Sequence, residues 1–147
     1  MTSTLLWKLL SQIKTLKLDA VSVEPDWSGQ AEGRVSLSTV NRHTLIFSES
    51  GEWNFTEKPR IKFFNIYRWR MRSEETLELA HLRHGMDSPV HLLDFKKTDA
   101  DKWYSEKPHV CVEDLYSAVL SVKENSIFLK WTIDGPAKKQ TVECLYR

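Results

Sequence analysis

The stretch of this sequence whose residue types carry the most chemistry is residues 60–72, where five basic side chains are interleaved with aromatic ones and no acidic residue occurs. Side chains two apart on a strand share a face, so Arg68 and Arg70 should lie opposite Tyr67 and Trp69. The arginines would form a solvated face over an apolar core face, or they would face a cavity and bind an anionic head group. Because cations and aromatic rings lie on opposite faces, the stretch does not predict a nucleic-acid surface, where stacking and phosphate contacts share one groove.

A second group of reactive side chains lies around His109. On a strand, His109 and Cys111 would share one face, while Asp114 and Tyr116 would share the other. In a cavity, Cys111 with His109 or His91 could supply a nucleophile and base. Asp114 with Tyr116 and His91 could instead supply an acid–base pair, as a small lyase or isomerase needs. The same residues also fit a structural role, because a cysteine on a strand is commonly a small core residue and buried polar pairs hydrogen-bond each other. The spacing alone therefore leaves an enzyme and a binding protein as alternatives.

The sequence identifies no cofactor. A zinc site needs three or four protein ligands, and the histidines match no zinc spacing, so no metal site is predicted. Haem needs only one axial ligand, which His91 or His109 could supply. Without a Cys-x-x-Cys-His motif, such a haem would be held non-covalently. The five glycines form no phosphate-binding loop, which gives no support to ATP-dependent or NAD-dependent chemistry.

Length and composition limit the number of domains and the classes of partner that this chain can have. The chain has 147 residues, of which 41% are hydrophobic, and this matches one ordinary domain. Its 21 basic and 20 acidic side chains leave a net charge of +1, so we expect no nucleic-acid partner. No run reaches the ~20 apolar residues of a membrane-spanning helix, and no secretory signal is visible. Cys111 and Cys144 have no metal-type spacing, and a chain without a visible signal is expected in the reducing cytoplasm, so both are predicted to be free thiols.

The elements that must position the reactive residues begin with a helix. Residues 5–18 place leucine and isoleucine at helical spacing after Ser3 or Thr4, either of which can cap an amphipathic helix. We expect this helix to pack one face on the domain. The alternatives are a helix that lies on a membrane surface or one that docks a partner or a second copy. Beyond Pro25 the period becomes that of strands, and residues 96–108 are polar enough for a surface loop.

The strand-like segments predict a mainly β fold. They are residues 32–38, 43–50, 60–72, 75–83, 89–95, 109–122, 126–133 and 140–146. Short strands at hairpin spacing are typical of an up-and-down barrel or a sandwich, and we expect a single antiparallel up-and-down β-barrel. The expected organisation is one domain over residues 1–147, with the helix within residues 1–20 and the barrel over residues 24–147.

Several motifs give this chain a resemblance to a known group. Residues 27–33 place a Trp before two spaced glycines, which resembles the Gly-x-Trp opening of the calycins, the group of lipocalins, fatty-acid-binding proteins and haem-binding nitrobindins. The motifs that follow are residues 47–51, 67–70, 91–95 and 109–111, then Asp114, Tyr116, Trp131, residues 135–138 and residues 146–147. In this order they resemble a family of small stand-alone proteins known only as a domain of unknown function. The resemblance implies a calycin-like barrel and no reaction, and the altered turn at residues 82–86 leaves Arg83 and His84 without an implied role.

From these patterns we expect a protein that binds a small, largely apolar ligand with an anionic or polar head group in a barrel cavity. Since Arg68 and Trp69 cannot share an inner face, only one of these two groups can line the cavity. The predicted ligand-binding residues are Glu49, Tyr67, Arg68, Arg70, His91, His109, Asp114, Tyr116 and Trp131. A small lyase or isomerase and a nitrobindin-like haem protein are the alternatives, and a homo-oligomer is left open.

Overall fold

The computed structural model describes residues 4–99 and 101–147. Within these residues the chain forms one helix and eleven strands. The helix is α1 (Leu5–Leu10), and the strands are β1 (Thr15–Glu24), β2 (Trp27–Asn41), β3 (Thr44–Phe55), β4 (Ile61–Ser73), β5 (Thr76–His81), β6 (Val90–Asp99), β7 (Lys102–Ser105), β8 (His109–Cys111), β9 (Asp114–Lys123), β10 (Ser126–Asp134) and β11 (Lys139–Tyr146). No helix in the described part of the chain is long and apolar enough to cross a membrane.

The strands close into an antiparallel barrel. Each of β1 to β6 pairs with the next strand, β7 pairs with β9, and β9 pairs with β10. β10 pairs with β11, which pairs back with β1 and completes a ring of ten strands. The short β8 pairs only with the end of β9 near the open mouth. The predicted mainly β antiparallel barrel with an N-terminal helix is therefore confirmed, with more strands than the sequence indicated.

Strand alternation divides inner from outer residues. Because one face of each strand points into the barrel, every second residue is buried. The largest fully buried side chains are Trp69, Trp103, Phe47 and Phe95, all on the inner face. Aromatic contacts connect three of them, with Phe47 and Trp69 ring centroids 6.1 Å apart and those of Trp69 and Phe95 also 6.1 Å apart. These rings pack among buried leucines and isoleucines in one core cluster.

Helix α1 closes one end of the barrel. The Thr4 hydroxyl accepts a hydrogen bond from the Trp7 backbone N–H at 3.1 Å, which caps the first turn. The helix buries Leu6, Leu9 and Leu10 together with Trp7. The Trp7 indole N–H donates to the Arg42 carbonyl at 3.0 Å and so attaches the helix to the β2–β3 turn. The expectation that the helix packs one face on the domain is met, and the open end of the barrel is the opposite one.

The predicted helix boundary is wrong. The helix ends at Leu10, and Leu16 and Leu18 instead belong to β1, where Leu16 lies opposite Tyr146 on one side and Gly33 on the other. Leucines at 16 and 18 fit the period of two of a strand as well as that of a helix. Pairing with both β11 and β2 is needed to close the ring, so the barrel begins at Thr15 instead of residue 24.

Two further segment predictions are corrected by the pairing of β7 and β9. Part of the predicted loop over residues 96–108 forms the end of β6 and all of β7. Trp103 in β7 is fully buried, which a surface loop does not explain. The predicted single strand over residues 109–122 is a hairpin of β8 and β9. Its turn includes Val112 at a φ of 58°, a conformation that side chains branched at Cβ rarely adopt.

Candidate functional site

A cavity occupies the open half of the barrel. Its volume is about 660 Å³, which lies in the range typical of small-molecule sites. Inner-face side chains of most strands form its wall, because strand alternation turns them all toward the barrel axis. The apolar part of the wall comprises Leu18, Trp53, Trp69, Leu79, Leu92, Leu129, Trp131, Ile133 and Val142. The arrangement is a mostly apolar chamber with few polar groups.

One carboxyl group, that of Glu49 in β3, faces this cavity. Only 3% of Glu49 is exposed to solvent, and it is the sole carboxylate among the described residues that line the cavity. The Tyr146 hydroxyl donates a hydrogen bond to Glu49 Oε2 at 2.5 Å. Burial raises the pKa of Glu49 from 4.5 to about 7, and the hydrogen bond from Tyr146 partly opposes that rise. At neutral pH the carboxyl is therefore divided between its acid and its carboxylate form.

The groups around Glu49 stay protonated. Burial raises the pKa of the Tyr67 and Tyr146 hydroxyls and of the Cys144 thiol, and the nearby Glu49 charge raises each of them further. Ring centroids of Phe47 and Tyr146 lie 5.6 Å apart in an edge-to-face contact that fixes the tyrosine ring. The inner end of the cavity thus offers one ionisable carboxyl among neutral hydroxyl and thiol groups.

The mouth of the cavity carries a different set of polar groups. His81, Arg83, His109, Cys111 and Tyr116 line it. The rings of His109 and Tyr116 have centroids 6.3 Å apart. Partial burial lowers the pKa of His81, and the positive charges of Arg83 and of the neighbouring histidines lower it further. The cationic Arg83 thus lies at the mouth, while the acidic group lies at the inner end.

Comparison with known proteins places the chain in a family. Residues 7–147 match a "family of unknown function (DUF6314)". The chain belongs to this family. A comparison with curated protein sequences found no match.

Among solved structures, this DUF6314 protein is similar to designed barrels. One is described as "a redesigned beta barrel, mFAP1, bound to DFHBI", with 12% sequence identity, a TM-score of 0.47, and coverage of 96% of this chain and 97% of that one. Another, "a redesigned beta barrel, b11L5F_LGL", has 11% identity, a TM-score of 0.49, and coverage of 100% and 98%. A third, a de novo designed "fluorescence-activating beta barrel", has 9% identity, a TM-score of 0.44, and coverage of 91% and 92%.

In this DUF6314 protein, five of the nine residues predicted from sequence line the cavity. They are Glu49, Tyr67, His109, Tyr116 and Trp131. Glu49 and Tyr67 lie toward the inner end, whereas His109 and Tyr116 lie at the mouth. Alternation on β3, β4 and β10 accounts for three of these placements, since each residue is an even number of positions from a buried aromatic or leucine on its strand.

The two predicted arginines do not face the cavity. Trp69 is fully buried on the inner face of β4, so Arg68 and Arg70 on either side of it point outward. There they pair with Glu78 of β5, at 3.0 Å from Arg68 and 3.8 Å from Arg70. Arg72 joins the same carboxylate at 3.3 Å. The aromatic group of β4 therefore lines the cavity, and its arginine group forms an ion-pair network on the outer surface.

His91 and Asp114 also lie outside the cavity. The pairing of β5 with β6 shifts by one residue, because Leu79 pairs with Leu93 but Ala80 pairs with His91. As a result Leu92 lines the cavity and His91 points outward. The His91 imidazole lies 3.0 Å from Asp94. A haem in the cavity could therefore not use His91 as its axial ligand. Of the two predicted ligands this leaves His109, and His81 also lines the cavity.

Asp114 is displaced for a different reason. It shares the strand face of Tyr116, but it is the first residue of β9 and lies at the end of the barrel beyond the cavity wall. Its carboxylate lies 3.6 Å from the Lys138 ammonium and packs over Gly135, where a side chain would collide with it. It cannot act as an acid or base inside the cavity.

A cluster of metal-type side chains lies on the outer surface. Ligand atoms of Glu78, His91 and Asp94 lie within 4.8 Å of one another. Three arginines already pair with Glu78, and their charges oppose the binding of a cation there. The ion-pair network accounts for the cluster without a metal.

Sequence reasoning missed four groups at the cavity: His81, Arg83, Cys144 and Tyr146. The two on β11 carried a usable signal, because Cys144 and Tyr146 are two apart on a predicted strand. His81 carried the same signal, because it lies two residues after the buried Leu79 on β5. Arg83 carried none, since it lies in the turn after β5, where no period shows the direction of a side chain.

Proposed function

We propose that this protein binds a small, largely apolar molecule with a polar head group in the barrel cavity. The support is a chamber of about 660 Å³ with apolar walls and a few convergent polar groups, the usual form of a ligand site. Helix α1 closes one end of the barrel, so a ligand would enter and leave at the mouth near His109. The anionic head group predicted for Arg68 and Arg70 has no counterpart at the inner end, where an anion would meet the Glu49 carboxyl.

The observation that carries the proposal is the Glu49–Tyr146 pair at the inner end of the cavity. A buried carboxyl lowers stability unless its oxygens are hydrogen-bonded, and among the described residues Tyr146 is the one side chain that donates to Glu49. A ligand with a hydroxyl, amide or amine group could donate to the other oxygen. Glu49 would then select for a hydrogen-bond donor at the buried end of an otherwise apolar ligand.

Binding can be tested with N-phenyl-1-naphthylamine, a neutral apolar dye that fluoresces in dry sites. We expect saturable binding of one dye per chain. Leu129→Trp and Ile133→Trp both add bulk inside the cavity and should weaken binding at least about tenfold by filling it. The matched control is Phe128→Trp, because Phe128 lies on the same strand but is 40% exposed.

The dye-binding test remains conclusive even if Leu129→Trp destabilises the fold. Ile133 is only half-buried near the mouth, so Ile133→Trp should fold, which circular dichroism can verify. The proposal is refuted if the dye does not bind the wild type. It is also refuted if the dye binds folded Ile133→Trp as tightly as it binds Phe128→Trp. Native mass spectrometry of the purified protein would reveal directly any natural ligand that stays bound.

A second candidate function rests on the same carboxyl. A general base works best when its pKa lies near the working pH, and burial brings the pKa of Glu49 to about 7. The predicted lyase or isomerase would then use Glu49, with His109 or Tyr116 at the mouth, in place of His91 and Asp114. The probe is 5-nitrobenzisoxazole, from which a carboxylate removes a carbon-bound proton as the N–O bond breaks to give a cyanophenolate. Turnover that rises through pH 7 and is lost in Glu49→Gln would support this function; equal turnover in both proteins would reject it.

The remaining sequence predictions stay proposals with direct tests. A nitrobindin-like haem site would give a Soret band that disappears in His109→Ala. The calycin relationship and the cytoplasmic location rest on the sequence patterns described above, and a homo-oligomeric state stays open. Solution mass at micromolar concentration tests the last of these.

A further inference from the structure

We propose that the mouth of the cavity is a second recognition site, which binds an anionic group of the ligand through Arg83, assisted by His81 and His109. This inference rests on the proposed function, because it specifies the class of molecule that the cavity takes. The ligand would be an amphipathic acid with its carboxylate, sulfonate or phosphate group at the mouth. Its apolar body would fill the chamber, and its far end would approach Glu49.

The first observation is that Arg83 lacks an acidic partner. Its side chain lines the cavity, and among the described residues no carboxylate oxygen lies within 4.0 Å of its guanidinium. Several arginines elsewhere on the barrel are paired, as Arg68 is with Glu78 at 3.0 Å and Arg60 is with Glu52 at 3.7 Å. A guanidinium binds carboxylate and phosphate groups with two parallel hydrogen bonds. Arg83 is thus a free anion-binding group at the edge of an apolar chamber.

The second observation is that the turn holding Arg83 is anchored. The backbone N–H of Leu82 donates to the Ile66 carbonyl at 2.9 Å, and Leu82 itself is 3% exposed. The backbone N–H of Gly85 donates to the Leu82 carbonyl at 3.0 Å, and a φ of 101° at Gly85 suits glycine. The start of the segment between β5 and β6 is therefore fixed beside the cavity, which places the Arg83 backbone at the mouth.

The third observation is the concentration of imidazoles around Arg83. The rings of His81 and His84 have centroids 5.9 Å apart, and His109 approaches from β8. The backbone N–H of Arg83 donates to His81 Nδ1 at 3.4 Å, so the neutral ring keeps its proton on Nε2 as a donor. Among the described lining residues the single carboxylate, Glu49, is buried at the far end. The mouth therefore combines a cation and imidazole donors without a competing acid.

The charge distribution also fixes the orientation of such a ligand. Like charges in a chamber of low dielectric repel strongly, so an anionic group would be driven away from Glu49. At the mouth the same group would meet Arg83 and remain partly hydrated. The anion is therefore expected at the mouth with the apolar tail inside.

A pair of dyes with related aromatic bodies separates this inference from the proposed function. 8-Anilino-1-naphthalenesulfonate carries a sulfonate, and N-phenyl-1-naphthylamine is its neutral counterpart. In the wild type both should bind in the cavity, shown by their loss in Ile133→Trp. In Arg83→Gln the dissociation constant of the sulfonate dye should rise about tenfold, while that of the neutral dye should not change.

Two variants control for the loss of charge. Arg42→Gln makes the same change at the closed end, where Arg42 lies in the turn that contacts α1, and it should leave both dyes unaffected. Arg83→Lys keeps the charge but loses the paired N–H donors, so it should bind the sulfonate dye less tightly than the wild type and more tightly than Arg83→Gln. If neither dye binds the wild type, the proposed function fails. If both bind but Arg83→Gln weakens them equally or not at all, only the anion site at the mouth is refuted.

Discussion

Replacing Glu49 by glutamine should make the protein more stable at and above neutral pH. Glu49 is 3% exposed, and its carboxylate form is disfavoured in the apolar cavity. The glutamine amide has the same shape, and its oxygen can still accept the hydrogen bond from Tyr146. The substitution therefore removes the ionisation and preserves the contacts.

The size and sign of the effect follow from the pKa of Glu49, which lies at about 7 in the folded protein against an ordinary value of 4.5. Because the folded state keeps its proton where the unfolded chain has lost it, the free energy of unfolding falls as pH rises through this interval. Above pH 7 both states are ionised and the loss is constant, at about 3 kcal/mol. At pH 5 the loss is less than about 1 kcal/mol. A domain of this size has a total stability of about 5–15 kcal/mol, so the effect is readily measured.

The assay is urea unfolding of the wild type and Glu49→Gln at half-unit steps from pH 4.5 to pH 8.5, followed by tryptophan fluorescence. The difference in the free energy of unfolding between the two proteins should grow with pH up to about pH 7 and then stay level. Glu52→Gln is the matched control, because Glu52 lies on the same strand but its side chain is 44% exposed. If the wild-type and Glu49→Gln curves run parallel across the range, Glu49 ionises as an ordinary surface carboxyl and the account of the cavity is wrong.

Three further predictions concern neighbouring groups. Tyr146→Phe removes the hydrogen bond that lowers the pKa of Glu49, so the pH interval in which stability is lost should extend above pH 7. At pH 5, where the acid form prevails, the free energy of unfolding should fall by about 1 kcal/mol. An unshifted interval in urea titrations would contradict this. Arg70→Ala should leave the binding of both naphthyl dyes unchanged in fluorescence titrations, because Arg70 lies on the outer face, and any loss above about threefold would contradict that placement. Ellman's reagent should react with one thiol of the folded protein and with both thiols after unfolding. Cys111 is exposed, whereas Cys144 is buried and burial raises its pKa. Two rapidly reacting thiols in the folded protein would show that Cys144 is accessible.

The barrel could be predicted because antiparallel strands leave a clear record in the sequence. Burial alternates along most of β10 and at the end of β11, where Cys144 and Tyr146 are buried, in agreement with a period of two. The start of the barrel could not be placed, because Leu16 and Leu18 fit a strand and also continue the helical spacing of the residues before them. Pairing with β2 and β11 decides between the two, and such long-range pairing is absent from a local pattern.

The candidate site was only partly predictable for a similar reason. Alternation on β4 correctly separated Arg68 from Trp69, but a period of two cannot tell which face is the inner one. The burial of the large Trp69 decides the question, and ion pairing with Glu78 allows the arginines to remain outside. Arg83 lies in a turn, where side-chain direction depends on individual backbone hydrogen bonds and not on a period.

Burial and incomplete hydrogen bonding of the Glu49 carboxyl affect both the stability of the protein and its binding of a ligand. Burial raises the pKa of Glu49, so at neutral pH the folded protein holds a carboxyl that would be more stable if it were fully hydrogen-bonded. A ligand that donates to the second carboxyl oxygen would supply that bond and lower the pKa, returning part of the lost stability as binding free energy. An apolar leucine at position 49 would stabilise the empty barrel, but it would give a ligand no group to recognise. We therefore expect a destabilising carboxyl in a cavity that discriminates among ligands. At the opposite end, Arg83 would discriminate among ligands by charge.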